Sequence, residues 1–213
     1  MKNIILVEGK DDKAFIEKLM AGVEAKSITV EPLGGLSKDA MLKSLDAQRN
    51  AFLKNPFEKL GIIIDQDSFS IVERLTLINE CLQAVFGVQI TDISTFVQTE
   101  IDGIPLQIAC YFVNFEGKGE LESLLTRIKT EDSQYSDCLN QWQNCLLDKV
   151  SQKEFDKLWV HYYLKYDTAT HQERQQAGKY CTLEYSLQHK FHIWNLDSPI
   201  LDELKVFLEL FNS

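Results

Sequence analysis

The stretch ILVEGKDD, residues 5–12, joins a short apolar run to a glycine and three carboxylates. The run is too short for a helix and rich in branched side chains, which predicts a buried strand. The residues after it carry apolar side chains at helical spacing, at Phe15, Ile16 and Leu19. The chain therefore opens as a strand followed by a helix, with acidic residues at the junction.

This strand–helix pattern recurs twice. The next strands are SITVEPLGG (27–35) and the continuous apolar run LGIIIDQD (60–67), and helical spacing follows each of them, at 38–53 and 70–87. A strand without polar alternation is typical of one buried on both faces, as in parallel sheets. Three such units predict an α/β fold with a Rossmann-like, mainly parallel sheet.

The pattern changes after residue 94. Residues 95–113 read as strand, Asp102-Gly103 turn and strand, and we expect the second arm to join the main sheet. Later residues show helical patterns, with a capping-box signature at Ser151 and a last helix at about 199–211. We therefore predict an α/β domain over 1–128 and a C-terminal helical appendage over 129–213 that packs on it.

Composition excludes several classes of protein. The net charge of −10 argues against a broad basic surface that would bind nucleic acid by counterion release. No apolar run reaches the ~18–20 residues that cross a bilayer, and no secretory pattern opens the sequence, so we expect a cytoplasmic protein without a membrane partner. Five cysteines without a CxxC pair predict reduced, mostly buried thiols.

The acidic residues fall where α/β sheets bind ligands, beyond the carboxyl ends of the strands. Glu8 follows the first strand, and Asp65 and Asp67 end the third, so they converge if these strands are neighbours. Asp12 could reach the same cleft or interact with the helix N-terminus. Clustered carboxylates repel unless a cation relieves them, and an all-oxygen set suits Mg²⁺ or Mn²⁺, which points to chemistry at phosphorus.

The pair of motifs VEGKDD and IIIDQDS resembles the TOPRIM domain of topoisomerases, primases and OLD-type nucleases, which has Glu-Gly after strand 1 and Asp-x-Asp after strand 3. GELESLL (119–125) and WNLDSPILDELKVFL (194–208) are similar to small stand-alone TOPRIM-like proteins of unknown function. The resemblance implies a TOPRIM-like sheet with its acids around Mg²⁺.

The resemblance also implies residue roles. The metal ligands would be Glu8, Asp65 and Asp67, and the catalytic residues Glu8, Asp12, Glu122 and Lys118, with Glu120 a weaker candidate than Glu122. Glu8 would serve as general acid or base, and Lys118 would stabilise transition-state charge. Apart from the resemblance, Gly9 could allow a close backbone approach or a tight turn, or be a plain helix-start glycine. Lys10 could contact a phosphate, but we favour an exposed lysine.

Other features depart from the larger TOPRIM enzymes. DQDSFSIVERL lacks the glycine and basic residues that usually follow the Asp-x-Asp, and the chain carries neither a primase zinc ribbon nor a breakage-reunion domain.

Three hypotheses for the function follow from the sequence. The first is that the chain is a Mg²⁺- or Mn²⁺-dependent nuclease or phosphodiesterase acting on nucleic acid or nucleotide. The second is that it is a non-catalytic metal-binding subunit with an ATPase partner, and a receiver domain is a related alternative to this hypothesis. The third is that it is an α/β domain whose acidic residues only cap helices.

Overall fold

A computed structural model describes residues 3–21, 28–117 and 119–212. The strands are β1 Asn3–Val7, β2 Ile28–Pro32, β3 Lys59–Asp65, β4 Val97–Ile101 and β5 Ile104–Val113. The α-helices are α1 Lys10–Met20, α2 Lys38–Lys54, α3 Ile71–Phe86, α4 Leu121–Leu125, α5 Gln134–Cys145, α6 Gln152–Tyr162, α7 His171–Gln175, α8 Ala177–Tyr180, α9 Leu183–His189 and α10 Asp202–Glu209. A π-helical turn spans Tyr163–Asp167, and 3₁₀ turns span Phe191–Ile193 and Pro199–Leu201.

The five strands form one sheet in the order β2-β1-β3-β5-β4. All neighbouring pairs are parallel except β4 and β5, which form an antiparallel hairpin. The hairpin turn places Asp102 at φ 51° and Gly103 at φ 80°, the pair of left-handed residues that a type I′ hairpin turn requires. The predicted α/β class with a mainly parallel sheet is confirmed.

Strand β3 is buried along its whole length because helices cover both faces of the sheet. Leu60, Ile62 and Ile64 point into one apolar core, together with side chains of α2 and α3 such as Phe52 and Ile78. Since side chains alternate along a strand, Gly61, Ile63 and Asp65 belong to the opposite face. Burial on both faces of the sheet explains why residues 60–64 form a continuous apolar run.

The opposite face is covered in part by the C-terminal residues. The rings of Phe207 and Tyr111 lie 5.4 Å apart, and the side-chain amide of Asn3 donates to the Phe211 carbonyl at 2.8 Å. A Cβ added at Gly61 would lie 2.7 Å from Cζ of Phe211, so glycine leaves the space that this ring occupies.

The chain accordingly divides into two compact units, Met1–Val113 with Asp202–Ser213, and Asn114–Leu201. The sequence prediction placed the boundary at residue 128 and assigned the last helix to the appendage. The difference arises because Phe207 of α10 and Phe211 after it pack on the sheet, a long-range contact that local patterns do not show. The predicted last helix is a 3₁₀ turn followed by α10.

The second unit is helical, and a buried tyrosine ties its segments together. The Tyr163 hydroxyl donates to the Ile193 carbonyl and accepts from the Glu131 amide, each at 3.1 Å. Its ring stacks on Trp159 at a centroid distance of 5.1 Å. The predicted capping box at the start of α6 is present, with Ser151 accepting from the Glu154 amide.

Candidate metal centre

Glu8 and Asp65 lie at the same edge of the sheet, because they follow or end two adjacent parallel strands. In the β1–β3 register Val7 pairs with Ile63, so Glu8 is offset from Asp65 by a single residue. Neighbouring strands are about 4.8 Å apart, so the backbone positions of these two acids lie at the same edge of the sheet. The expected adjacency of strands 1 and 3 is thus present.

Asp65 is nearly inaccessible to solvent, with 7% of its surface exposed, whereas Glu8 is half-buried. The amide of the next residue, Gln66, donates to the carbonyl of Val113 at 2.9 Å and anchors the loop to β5. A buried carboxylate is costly unless it is compensated by hydrogen bonds, a counter-charge or a bound cation. Among the described residues of the first unit, Asp65 is the most buried acidic residue, and its position suits metal ligation.

Asp67 has a cation from the protein itself. Its Oδ2 atom forms an ion pair with Arg74, which is 5% exposed, and Arg74 Nε donates to the Gln66 carbonyl at 3.2 Å. Asp67 also adopts φ 56°, a left-handed conformation that turns the chain sharply after β3. Sequence reasoning missed Arg74, since an arginine in the first turns of a helix ordinarily reads as exposed.

Asp12 caps the first helix. Its Oδ2 atom accepts a hydrogen bond from the Gly9 amide at 3.0 Å, the reciprocal contact of a capping box. Gly9 has φ −140°, and an added Cβ would meet this oxygen at an ordinary 3.4 Å, so local geometry does not require glycine there. Lys10 is exposed at the start of α1. The phosphate-binding roles of Gly9 and Lys10 and the catalytic role of Asp12 stay predictions.

The second unit carries another acidic pair, Glu120 and Glu122. They offer carboxylate oxygens within 4.8 Å of each other. Glu120 is 2% exposed and its Oε2 atom contacts the ammonium groups of Lys153 at 3.0 Å and Lys157 at 3.3 Å. Its Oε1 atom is buried and has no hydrogen-bond partner among the described residues. The sequence ranked Glu122 above Glu120, but Glu122 is half-buried and Glu120 is the more enclosed carboxylate.

A second buried acid lies on the helix that provides these lysines. Asp156 is 5% exposed and accepts from the Ser123 hydroxyl at 2.6 Å and from the side-chain amide of Gln152 at 2.8 Å. Sequence reasoning did not single out this set. The sequence feature that could have identified this set is the spacing of Lys153, Asp156 and Lys157, which places the three residues on one face of a helix.

Other chemistries have less support. Burial raises the pKa of the Cys110 thiol to about 12 and also raises the pKa of Cys81 and Cys181, so these thiols are protonated at neutral pH. Thiolate catalysis is therefore not expected from them. Lys118 lies outside the described residues, and its predicted role is untested. In the described part of the chain, no helix has the length and hydropathy needed to cross a bilayer.

Comparison with known proteins gives a family without an assigned activity. No curated protein matches the chain, and no solved structure does. One family model matches residues 2–212, nearly the whole sequence, and its description is "Protein of unknown function (DUF3226)". The chain is a member of the DUF3226 family.

Proposed function

We propose that this protein is a Mg²⁺- or Mn²⁺-dependent phosphodiesterase that acts on nucleic acid or nucleotide, with a TOPRIM-like, Rossmann-like sheet. The observation that carries the proposal is that the buried Asp65 and Glu8 both lie at the carboxyl edge of two adjacent parallel strands. The strand order β2-β1-β3 supports the TOPRIM-like assignment because it makes these two strands neighbours.

The ligand set proposed for the cation consists of oxygen atoms alone, the donors that Mg²⁺ and Mn²⁺ prefer. Asp65 and Glu8 are the main ligands, and Asp67 is held in place by its ion pair with Arg74. Glu120 and Glu122 are proposed as a separate pair of carboxylates within the second unit.

Each group has a distinct part in the proposed reaction. A bound divalent ion supplies charge stabilisation at phosphorus and lowers the pKa of a coordinated water. The half-buried Glu8 accepts the proton from the attacking water or returns one to the leaving oxygen. Arg74 keeps the loop after β3 fixed through Asp67 and the Gln66 carbonyl, so that Asp65 stays oriented.

The test combines cleavage with metal binding. Single-stranded and duplex DNA and RNA would be incubated with Mn²⁺ or Mg²⁺, and Mn²⁺ affinity would be measured by calorimetry. We expect Asp65→Asn to lower cleavage by more than about a hundredfold and to weaken Mn²⁺ binding, since a first ligand is lost. Asp46→Asn, at an exposed position of α2, is the control with the same charge change. Metal-dependent cleavage that survives in Asp65→Asn would refute the assignment.

A non-catalytic, metal-binding subunit is the second candidate. Two observations favour it, the net charge of −10 and the pairing of Asp67 with a protein cation. Such a subunit would need a partner with a basic surface, for which an ATPase is the candidate. Mn²⁺ binding that depends on Asp65, without turnover of any substrate in the panel, would support this reading over the enzyme.

A further inference from the structure

We propose that Lys153 and Lys157 form a phosphate-binding pair that Glu120 masks until a divalent cation binds Glu120. The proposal rests on the proposed function, which supplies the cation, and extends it by naming the groups that receive the phosphate. It involves residues of the second unit alone. Phosphate affinity would then be coupled to metal binding.

The masking is visible in the geometry. Lys153 and Lys157 lie four residues apart on α6, and both ammonium groups contact the same oxygen, Oε2 of Glu120, at 3.0 and 3.3 Å. The lysine side chains are 50% and 48% exposed, whereas that of Glu120 is 2% exposed. The two cations therefore approach from the solvent side and cover a carboxylate beneath them.

The other oxygen of Glu120 indicates where a cation would bind. Oε1 is buried and has no hydrogen-bond partner among the described residues. Leaving a carboxylate oxygen desolvated in this way is unfavourable unless something else satisfies it. A hard divalent cation on Oε1 would remove this cost, and Glu122 offers a second carboxylate oxygen within 4.8 Å.

Metal binding at Glu120 would release the lysines. Once the cation neutralises the carboxylate, its attraction for two ammonium groups falls, and each lysine can turn its donors towards another anion. The neighbouring acid, Asp156, already accepts hydrogen bonds from Ser123 and Gln152, so it competes less for them. Lysine ammonium groups bind phosphate as point charges, which fits a phosphate ester of the proposed reaction.

The first test removes the lysines. Calorimetry would measure Mn²⁺ binding, and then inorganic phosphate binding to the Mn²⁺-loaded protein, for wild type and Lys153→Gln/Lys157→Gln. We expect Mn²⁺ to bind about two- to fivefold tighter in the variant, because half-exposed competing cations are gone. Phosphate binding should weaken by a similar factor. Lys149→Gln/Lys179→Gln removes the same charge elsewhere in the unit and should change neither affinity.

The second test removes the mask. Glu120→Gln eliminates the carboxylate charge and leaves both lysines in place, so we expect phosphate to bind this variant without Mn²⁺, whereas wild type requires Mn²⁺. This variant also keeps the inference testable if the double lysine variant fails to fold. Phosphate binding that stays dependent on Mn²⁺ in Glu120→Gln would overturn the inference.

The outcomes separate the two proposals. If wild type binds Mn²⁺ but the lysine variant has unchanged affinities for Mn²⁺ and phosphate, the masking idea fails and the proposed function stands. If wild type binds no Mn²⁺ at all, the proposed function fails and the inference fails with it. Opposite changes in the two affinities support the inference, since a general loss of structure would weaken both.

Discussion

At the scale of single residues, Arg74 and Glu120 are two of the charged side chains that the described chain keeps almost out of water. Each is paired with opposite charge, because an isolated buried ion would cost several kcal/mol. Arg74 also places its guanidinium 4.4 Å from the Phe69 ring centroid, so it packs as well as pairs. Its main role is to hold the loop that follows β3.

We predict that Arg74→Gln lowers the free energy of unfolding by about 3–5 kcal/mol, since it leaves Asp67 without its buried partner. Urea unfolding followed by circular dichroism would measure this. The matched control is Lys38→Gln, which breaks the exposed ion pair with Glu80 at 2.7 Å and should lower the free energy of unfolding much less, because solvent screens that pair. Equal losses in the two variants would contradict the role assigned to Arg74.

At the scale of elements, the sequence predicted well wherever local pattern determines structure. The apolar run at 60–64 and the Asp102-Gly103 turn gave a strand and a hairpin because periodicity and left-handed φ are local properties. The position of Glu8 and Asp65 at one edge of the sheet followed from the predicted strands. The placement of α10, Arg74 and the buried Glu120 could not be predicted, since each depends on contacts between residues far apart in sequence.

The packing of the C-terminal residues on β3 can be tested at Gly61. We predict that Gly61→Ala destabilises the protein by about 1–3 kcal/mol, because its Cβ would overlap the buried ring of Phe211. Adding Phe211→Leu should recover part of the loss, as measured by chemical unfolding in a double-mutant cycle. Gly178→Ala, where an added Cβ meets no atom within 4 Å, is the control and should be neutral or mildly stabilising.

At the scale of the whole molecule, the two units can be observed separately. The three tryptophans, Trp142, Trp159 and Trp194, all belong to the second unit. Indole fluorescence therefore follows that unit alone, while circular dichroism follows both. Trp159 also forms a hydrogen bond with a titratable group, since its ring N–H donates to the Asp137 carboxylate at 3.1 Å.

This contact predicts acid sensitivity of the second unit. Partial burial raises the pKa of Asp137, but hydrogen bonds from Ser133 and Trp159 and the charge of Lys129 lower it more, so its pKa lies below the ordinary value of an aspartate. A lowered carboxyl pKa stabilises the fold above the ordinary value, and this stabilisation is lost as pH falls through the folded pKa.

We therefore expect the unfolding free energy reported by indole fluorescence to decrease below about pH 4, and Asp137→Asn to flatten that decrease. Denaturant titrations at a series of pH values would measure it. Asp148→Asn, at an exposed position, is the control, and its unfolding free energy should decrease at low pH as it does in wild type. If the unfolding free energy of Asp137→Asn decreases at low pH as steeply as that of wild type, Asp137 does not contribute to the acid sensitivity.

The return of residues 202–212 to the sheet unit has a consequence for biosynthesis. The ribosome makes β1 to β5 first and then the whole second unit, and Phe207 and Phe211 emerge later still. During that interval the side of the sheet around Gly61 and Tyr111 lacks its aromatic cover. The nascent chain thus exposes an apolar surface until Phe207 and Phe211 emerge and pack against the sheet.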